Sequence, residues 1–172
     1  MTTPIACPAP LSPIARLIGQ LIALFGRIPD SLIALIGRFS IAAIFWKSGQ
    51  TKIEGFALDI VAGEFQFGWP QLSDSALELF RSEYQLPLLP PELAAPMAAF
   101  AEHAFPALIL IGLATRFSSL ALLIMTLTIQ LFVYPDAYPT HGVWAAVLLV
   151  LIARGPGQFS VDHWLARRCA AR

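Results

Sequence analysis

The chain has 172 residues and no net charge at pH 7, with 57% hydrophobic and only 13% charged residues. Soluble domains usually contain about 45–50% apolar and about 25% charged residues, and a chain this short cannot bury so much apolar surface in its own core. Part of that surface must therefore face lipid, and because the chain has no long basic run we expect no nucleic-acid partner.

The N-terminal 30 residues predict a cytoplasmic tail followed by a surface helix. Residues 1–10 are crowded with proline and predict a disordered tail. Residues 11–28 predict an amphipathic helix, but its apolar stretch is too short to cross a bilayer. We expect this helix to lie on the membrane surface, with a half-buried bundle helix as the alternative. Its apolar stripe consists of Leu17, Leu21, Leu24 and Ile28.

The segment 31–154 predicts a polytopic, all-α membrane domain. Four apolar stretches are long enough to cross a bilayer, although the fourth is short and needs flanking residues. They are 31–50, 93–113, 117–134 and 140–154. The polar interval 51–91 contains a predicted short helix at 73–84, which Ser73 caps. With the first 30 residues included, the chain is predicted to be an all-α membrane four-helix bundle with an N-terminal amphipathic surface helix.

Charge asymmetry predicts the orientation. Four spans place both termini on one side, where seven arginines fall in short segments, whereas the interval 51–91 carries two basic residues among many acidic ones. The positive-inside rule then predicts cytoplasmic termini in a bacterial inner membrane. The tail 155–172 predicts a second surface helix. The seven arginines are Arg16, Arg27, Arg116, Arg154, Arg167, Arg168 and Arg172.

Ionisable residues inside the predicted spans are the candidate site. A charge near the bilayer centre costs roughly 2.5–3.5 kcal/mol, so such residues pair or face a cavity. Helix midpoints place Glu102 almost centrally, and Arg38 within its reach. Lys47 could also reach Glu102, but not together with Arg38, because the two lie on opposite sides of the helix. We favour an Arg38–Glu102 pair, with a Lys47–Glu102 pair as the alternative; in the first case Lys47 extends outward to join Lys52 at the interface.

The role of that pair stays open between two readings. A buried Arg–Glu pair can fix two helices in register, or it can form a site that binds a ligand or moves a proton. His103 neighbours Glu102 but points about 100° away around the helix, towards another helix. Pro106 frees a carbonyl beside the acid, and Gln130, with Thr126 and Thr128, is its predicted partner. The remaining histidines are read as a capping residue, His141, and a solvated one, His163, and no metal site is predicted.

These segments together resemble the DoxX family of small bacterial membrane proteins. The resemblance lies in RFSIAAIFWKSGQTKIEGF (38–56), in the segment 80–135, and in HGVWAAVLLVLIARGPGQFSVDHWL (141–165). Within these segments, the family's pattern is matched by Arg38, Gly49, Lys52 and Glu102, and by GLATR at 112–116. The final block is the most specific, because Gly-Pro-Gly precedes a Ser-x-Asp turn.

The resemblance implies a four-span bundle in the inner membrane. The family takes its name from subunits of an archaeal thiosulfate:quinone oxidoreductase, and another relative is similar to a membrane partner of a superoxide dismutase and a thiol-handling enzyme. The leading hypothesis is therefore a subunit of a quinone-linked redox or stress-response system, with a soluble or membrane redox partner or self-association. Arg38, Lys47, Lys52, Glu102, His103 and Gln130 are the ligand- or proton-site candidates, and no catalytic residue is assigned.

Two other hypotheses come from different classes. The same buried charges would suit a conduit for protons or a small solute. Alternatively, the chain is a non-catalytic anchor that recruits partner proteins through the interval 51–91 and the tail. The cysteines, Cys7 and Cys169, lie near the termini and outside the spans, so thiol chemistry is not expected from this chain.

Overall fold

The computed structural model describes residues 12–59 and 62–170. The predicted disordered tail at 1–10, with Cys7, lies outside this range. The helices α1 and α2 span Pro13–Phe25 and Asp30–Gln50, and a hairpin of strands β1 (Ile53–Asp59) and β2 (Glu64–Leu72) follows. The remaining elements are α3 (Asp74–Leu79) with a π-helical turn at Phe80–Tyr84, α4 (Pro91–Ile111), α5 (Thr115–Phe132), a 3-10 turn at Pro135–Ala137, α6 (Tyr138–Arg154) and α7 (Val161–Ala170).

Four helices are long and apolar enough to cross a membrane, which confirms the predicted fold class. They are α2, α4, α5 and α6, the last with its preceding 3-10 turn counted in. Both α2 and α5 pack against α4 and α6, so the four helices form a ring. The 3-10 turn supplies the flanking residues that the short fourth span needed.

The core of the ring is small, and much of each span faces outward. Between 17% and 33% of the most apolar window of each span is buried within the chain. The other apolar side chains are exposed and require lipid as their solvent. The buried core cluster is formed by Ala34, Ile41, Ala42, Phe45, Ile109, Leu122, Leu123, Leu148 and Leu151.

The N-terminal helix α1 does not join this core. Ser12 caps it by accepting a hydrogen bond from the Ala15 amide at 3.3 Å, and none of its residues is buried. Every residue of its apolar stripe is between 44% and 57% exposed. The half-buried bundle helix considered as an alternative is therefore wrong, because no face of α1 is covered by the rest of the described chain.

The interval between the first two spans is more ordered than its sequence suggested. The predicted helix at 73–84 is present, and the Ser73 hydroxyl accepts a hydrogen bond from the Ala76 amide at 3.1 Å. The β1–β2 hairpin was not predicted. A second, smaller core cluster of Phe80, Ala94 and Ala95 joins the π-helical turn to the start of α4. We call the end of the ring next to the β1–β2 hairpin the hairpin end. The opposite end, which carries α7, is the tail end.

Candidate functional site

A buried ion pair lies at the hairpin end of the ring. The ammonium nitrogen of Lys52 lies 2.8 Å from Oε2 of Glu102, and both side chains are at most 5% exposed. Lys52 Nζ also donates to the carbonyl and the hydroxyl of Ser48, at 3.3 and 3.2 Å. The Ser48 hydroxyl in turn donates to Glu102 Oε1 at 3.2 Å. The pair is thus closed into a small hydrogen-bonded cluster, as a buried charge pair requires.

The predicted Arg38–Glu102 pair is wrong, because the two side chains bind different partners at opposite ends of the ring. Counting from helix midpoints failed because α4 begins at Pro91 and packs its first two turns against Phe80, beyond the four-helix core. Glu102 consequently lies level with Ser48, near the end of α2, instead of level with Arg38. Lys47 is exposed on the last turn of α2 and makes no ion pair with a described carboxylate.

His103 points to α2, next to the ion pair. Its Nδ1 lies 2.6 Å from the Ala99 carbonyl, which can only accept, so this nitrogen carries the proton. Its Nε2 then accepts from the Gln50 amide nitrogen at 2.9 Å. The Gln50 side-chain oxygen accepts from the Leu58 amide at 2.7 Å, which fixes the amide orientation. A continuous chain of hydrogen bonds therefore joins α4, α2 and β1.

Gly49 allows the two helices to approach this closely. A Cβ atom at this position would lie 2.7 Å from Cε1 and 2.8 Å from Nδ1 of His103, and 3.1 Å from Cβ of Glu102. The α2 backbone thus packs directly against both side chains. Any larger residue would push α4 outward and separate His103 from Gln50.

An aromatic groove opens beside His103. It is a cavity of ≈ 530 Å³ between the hairpin, α2 and α4. His103 is the only titratable side chain that lines it among the described residues. The Trp46 ring meets His103 edge-on at 5.0 Å between centroids. The other lining residues are Ile53, Phe56, Gly68, Trp69, Pro70, Ala99 and Phe100.

Arg38 serves the opposite, tail end of the ring. Its guanidinium is buried and donates to three backbone carbonyls, those of Phe159 at 2.7 Å, Pro156 at 2.9 Å and Leu110 at 3.1 Å. The Gly-Pro-Gly segment that carried the family resemblance therefore wraps around Arg38.

The Ser-x-Asp turn completes that arrangement. The Asp162 carboxylate accepts from the amides of Ala114 and Thr115, at 2.8 and 3.0 Å, and so caps α5. Gly112 has a positive φ of 73°, and a Cβ there would lie 2.5 Å from the Ser160 Cβ. These contacts fix the tail against the α4–α5 turn.

Gln130 lies away from the freed carbonyl at Glu102, so its predicted role as partner there is wrong. Its amide nitrogen donates to the Pro135 carbonyl at 2.6 Å, and its oxygen lies 2.7 Å from His141 Nδ1. The hydroxyls of Thr126 and Thr128 donate within their own helix, to Leu122 and Ile124. Of the six predicted candidates, the structure brings together Lys52, Glu102 and His103.

Sequence reasoning missed several residues of this site. Ser48 and Gln50 are the α2 partners of Glu102 and His103, and Trp69 and Phe100 line the groove. A signal for Ser48 was present, because residues four apart on a helix share a face and Lys52 follows Ser48 by four. No comparable signal marked Trp69, since its position depends on the hairpin.

The fold and this site define a multi-pass membrane protein built on a four-helix ring. The sequence profile of the DoxX family matches residues 33–135, which is more than half of the chain, and the protein belongs to that family. A protein of Haemophilus influenzae that carries only the description "Uncharacterized protein" is 28% identical over 136 residues, which cover 74% of this chain and 80% of the relative. No solved structure matches the chain.

Proposed function

We propose that this DoxX protein is a membrane subunit of a quinone-linked redox or stress-response system, and that the aromatic groove holds the quinone headgroup. The groove beside His103 is the observation that carries this proposal. Its volume of ≈ 530 Å³ falls in the range of small-molecule sites, and its lining is almost wholly apolar and aromatic. A lipid-soluble ring needs such a lining, with few polar groups to orient it.

The residues present fit a quinone headgroup. Trp46, Phe56, Trp69 and Phe100 offer ring faces and edges for stacking, and His103 supplies the polar contact at the wall. Two-electron, two-proton carriage is the chemistry that such a quinone supplies when bound. The electrons come from a partner oxidoreductase, and this chain contributes the binding site.

Proton handling falls to the side chains behind the groove. His103 lines the groove and adjoins Glu102 in sequence, and Glu102 is held by Lys52 and Ser48. In this proposal His103 Nε2 exchanges the Gln50 amide for a hydroxyl of the reduced headgroup and accepts its proton, while Glu102 stays paired with Lys52. Arg38, one of the six site candidates, holds the tail instead and takes no part.

The conduit hypothesis receives less support from the same geometry. A proton path across the ring would need polar groups between Glu102 and Arg38. The α2 residues between them that face the core are Ile41, Ala42 and Phe45, and they pack against Ile109 of α4. On α2 and α4 this layer is apolar, which is a poor environment for a proton path, and Thr126 of α5, also buried in the ring, donates within its own helix.

The proposal includes the orientation that the charge pattern predicts. The tail end carries Arg27, Arg116, Arg154, Arg167 and Arg168 in short segments, which favours a cytoplasmic tail end in a bacterial inner membrane. The groove then opens on the outer side. A reporter that is active only in the periplasm should stay silent when fused after residue 170, and activity there would reverse the orientation.

Quinone binding is tested with a pair of matched variants. A short-chain quinone should quench tryptophan fluorescence saturably in the purified protein, because Trp46 and Trp69 line the groove. Phe100→Ala should weaken binding about 3–10-fold, the value of one aromatic contact. Phe117→Ala, which removes a ring of similar exposure (69% against 70%) from α5, should leave binding unchanged. Equal effects of the two variants, or no saturable quenching, would refute the quinone site.

A further inference from the structure

The β1–β2 hairpin lies beside the end of α2 and does not extend beyond it. Leu58 follows Gln50 by eight residues, and a strand continuing along the helix axis would carry it about 25 Å away. Instead the Leu58 amide donates to the Gln50 side chain at 2.7 Å, and its carbonyl accepts from the Trp46 indole at 3.0 Å. The part of the hairpin next to its turn is therefore level with the last turn of a membrane span.

The hairpin has one apolar and one polar face. Directly paired residues of an antiparallel ladder point to the same side. Phe56 pairs with Phe67, and Leu58 pairs with Phe65, which gives four apolar side chains on one face. The alternate pairs, Ala57 with Gln66 and Asp59 with Glu64, form the other face.

Most of the aromatic surface of the hairpin is uncovered. Phe65 and Phe67 are 56% and 79% exposed, and Trp69 at the rim of the groove is 84% exposed. Burying one such side chain is worth about 1.5–3 kcal/mol, so exposure of three neighbours to water would be strongly unfavourable.

The apolar face is continuous with the outward surface of a span. Phe56 and Phe100 line the same groove, one from the hairpin and the other from α4. Met97 and Phe100 of α4 are 57% and 70% exposed on the outside of the ring. The surface that faces lipid on α4 thus runs without interruption onto the hairpin.

We propose that the hairpin is a membrane-inserted element, whose aromatic face lies among the acyl chains of the adjacent leaflet and forms the lipid-side wall of the groove. The polar face, with Asp59, Glu64 and Gln66, then faces the headgroups and water. Like an interfacial amphipathic helix, this two-stranded ribbon has one apolar face for lipid and one polar face for water. The proposal is that the hairpin contacts lipid, and it does not depend on which ligand the groove binds.

Spin-label accessibility on the two faces tests this assignment. In a background with Cys7→Ser and Cys169→Ser, one nitroxide is attached at Phe67→Cys and another at Gln66→Cys. The protein is reconstituted in phosphatidylcholine–phosphatidylglycerol vesicles. The label at 67 should be relaxed mainly by oxygen, which partitions into lipid, and the label at 66 mainly by a water-soluble nickel chelate. A several-fold difference in the oxygen-to-nickel ratio is expected.

Equal or reversed ratios at the two positions would overturn the proposal. So would dipolar broadening at 67 that disappears on dilution with unlabelled protein, since it would assign the face to a second copy of the chain. A label at Phe65→Cys serves as a second reporter, because Phe65 lies on the same face and nearer the turn. It should give the same lipid signature as the label at 67.

Discussion

The ammonium group of Lys52 lies 2.8 Å from the carboxylate of Glu102, and the two side chains are 5% and 3% exposed. The contact joins the end of α2 to the middle of α4. It lies directly behind His103 and the aromatic groove. This pair therefore couples the packing of two spans to the wall of the candidate site.

Removing one member of the pair should destabilise the protein strongly. Lys52→Met leaves a buried carboxylate without its counter-ion, and Glu102→Gln leaves a buried ammonium. We expect each to lower the free energy of unfolding by about 3–5 kcal/mol, measured by denaturant titration of the reconstituted protein. The double variant Lys52→Met/Glu102→Met should recover much of this loss, because it leaves no unpaired charge.

An exposed ion pair in the same chain provides the control. Arg81 and Glu92 lie 2.9 Å apart with side chains 50% and 58% exposed. Arg81→Gln should change the free energy of unfolding by less than about 1 kcal/mol. If Lys52→Met were as mild as Arg81→Gln, the pair would not be the buried cluster described above.

Gly49→Ala should perturb the site without altering any charge. The new Cβ would lie within 2.8 Å of two His103 ring atoms, so α4 must move away from α2. Overpacking of this kind costs typically about 1–3 kcal/mol. The hydrogen bond between Gln50 and His103 should be lost, which the nitrogen-15 chemical shifts of His103 would report.

Gly19→Ala is the matched substitution in another helix. No atom lies within 4 Å of a Cβ at this position in α1. Alanine should stabilise that helix by about 0.5–1 kcal/mol, because it restricts the unfolded chain. For Gly49→Ala, nitrogen-15 chemical shifts of His103 equal to those of the wild-type protein would contradict the close α2–α4 contact.

Arg38→Met should release the tail. The guanidinium donates to the carbonyls of Leu110, Pro156 and Phe159, and hydrogen bonds to a charged group are worth about 1.5–3 kcal/mol. Amide hydrogen exchange across 157–165 should rise by at least about tenfold. The exposed Arg154, 3.3 Å from Asp30, is the control, and Arg154→Met should leave that exchange nearly unchanged. A tail equally protected in both variants would exclude this role of Arg38.

Alkaline pH should weaken the contact between the two inter-span segments. The hydroxyl of Tyr134 donates to the Glu83 carboxylate, and this bond raises the pKa of Tyr134 well above its usual value of 10. Burial raises the pKa of Tyr84, whose ring packs against it. The folded protein keeps these protons to higher pH than the unfolded chain, so their stabilisation is complete below pH 10 and is lost as pH rises above it.

Tyrosinate absorbance against pH measures this effect. Glu83→Gln removes the acceptor charge and should shift the ionisation of Tyr134 back towards 10. The thermal midpoint of the wild-type protein should fall above that pH more steeply than that of Glu83→Gln. Superimposable titrations of the two proteins would show that the hydroxyl does not donate to Glu83.

Hydropathy predicted the spans well, because an apolar stretch of this length is stable in lipid only as a membrane-spanning helix. The predicted limits of the first span, 31–50, differ from α2 by one residue. The hairpin was missed because its glycines and Pro70 resemble a loop, and Gly55 occupies an irregularity of the ladder at a φ of 82°. Its apolar alternation becomes visible only when Phe56 and Leu58 are paired with Phe67 and Phe65.

The ion pair was beyond sequence reasoning for a different reason. Helix midpoints give depth only when each apolar stretch begins and ends at the membrane boundary. The helix α4 begins outside the core, where Ala94 and Ala95 pack against Phe80. Glu102 is thereby displaced from Arg38 towards Lys52. Residue type identified the charges that matter, but long-range packing decided their partners.

Photolabelling with an azido-quinone tests whether the groove beside His103 binds a lipid-soluble ring. The label is applied to the reconstituted protein, and its attachment is mapped by mass spectrometry with and without excess unlabelled quinone. We predict competed labelling on the segments 46–56, 68–70 and 99–103, which line the groove from α2, the hairpin and α4. Labelling of α5 and α6 to the same extent, or labelling that unlabelled quinone does not reduce, would show that the groove is not a quinone site.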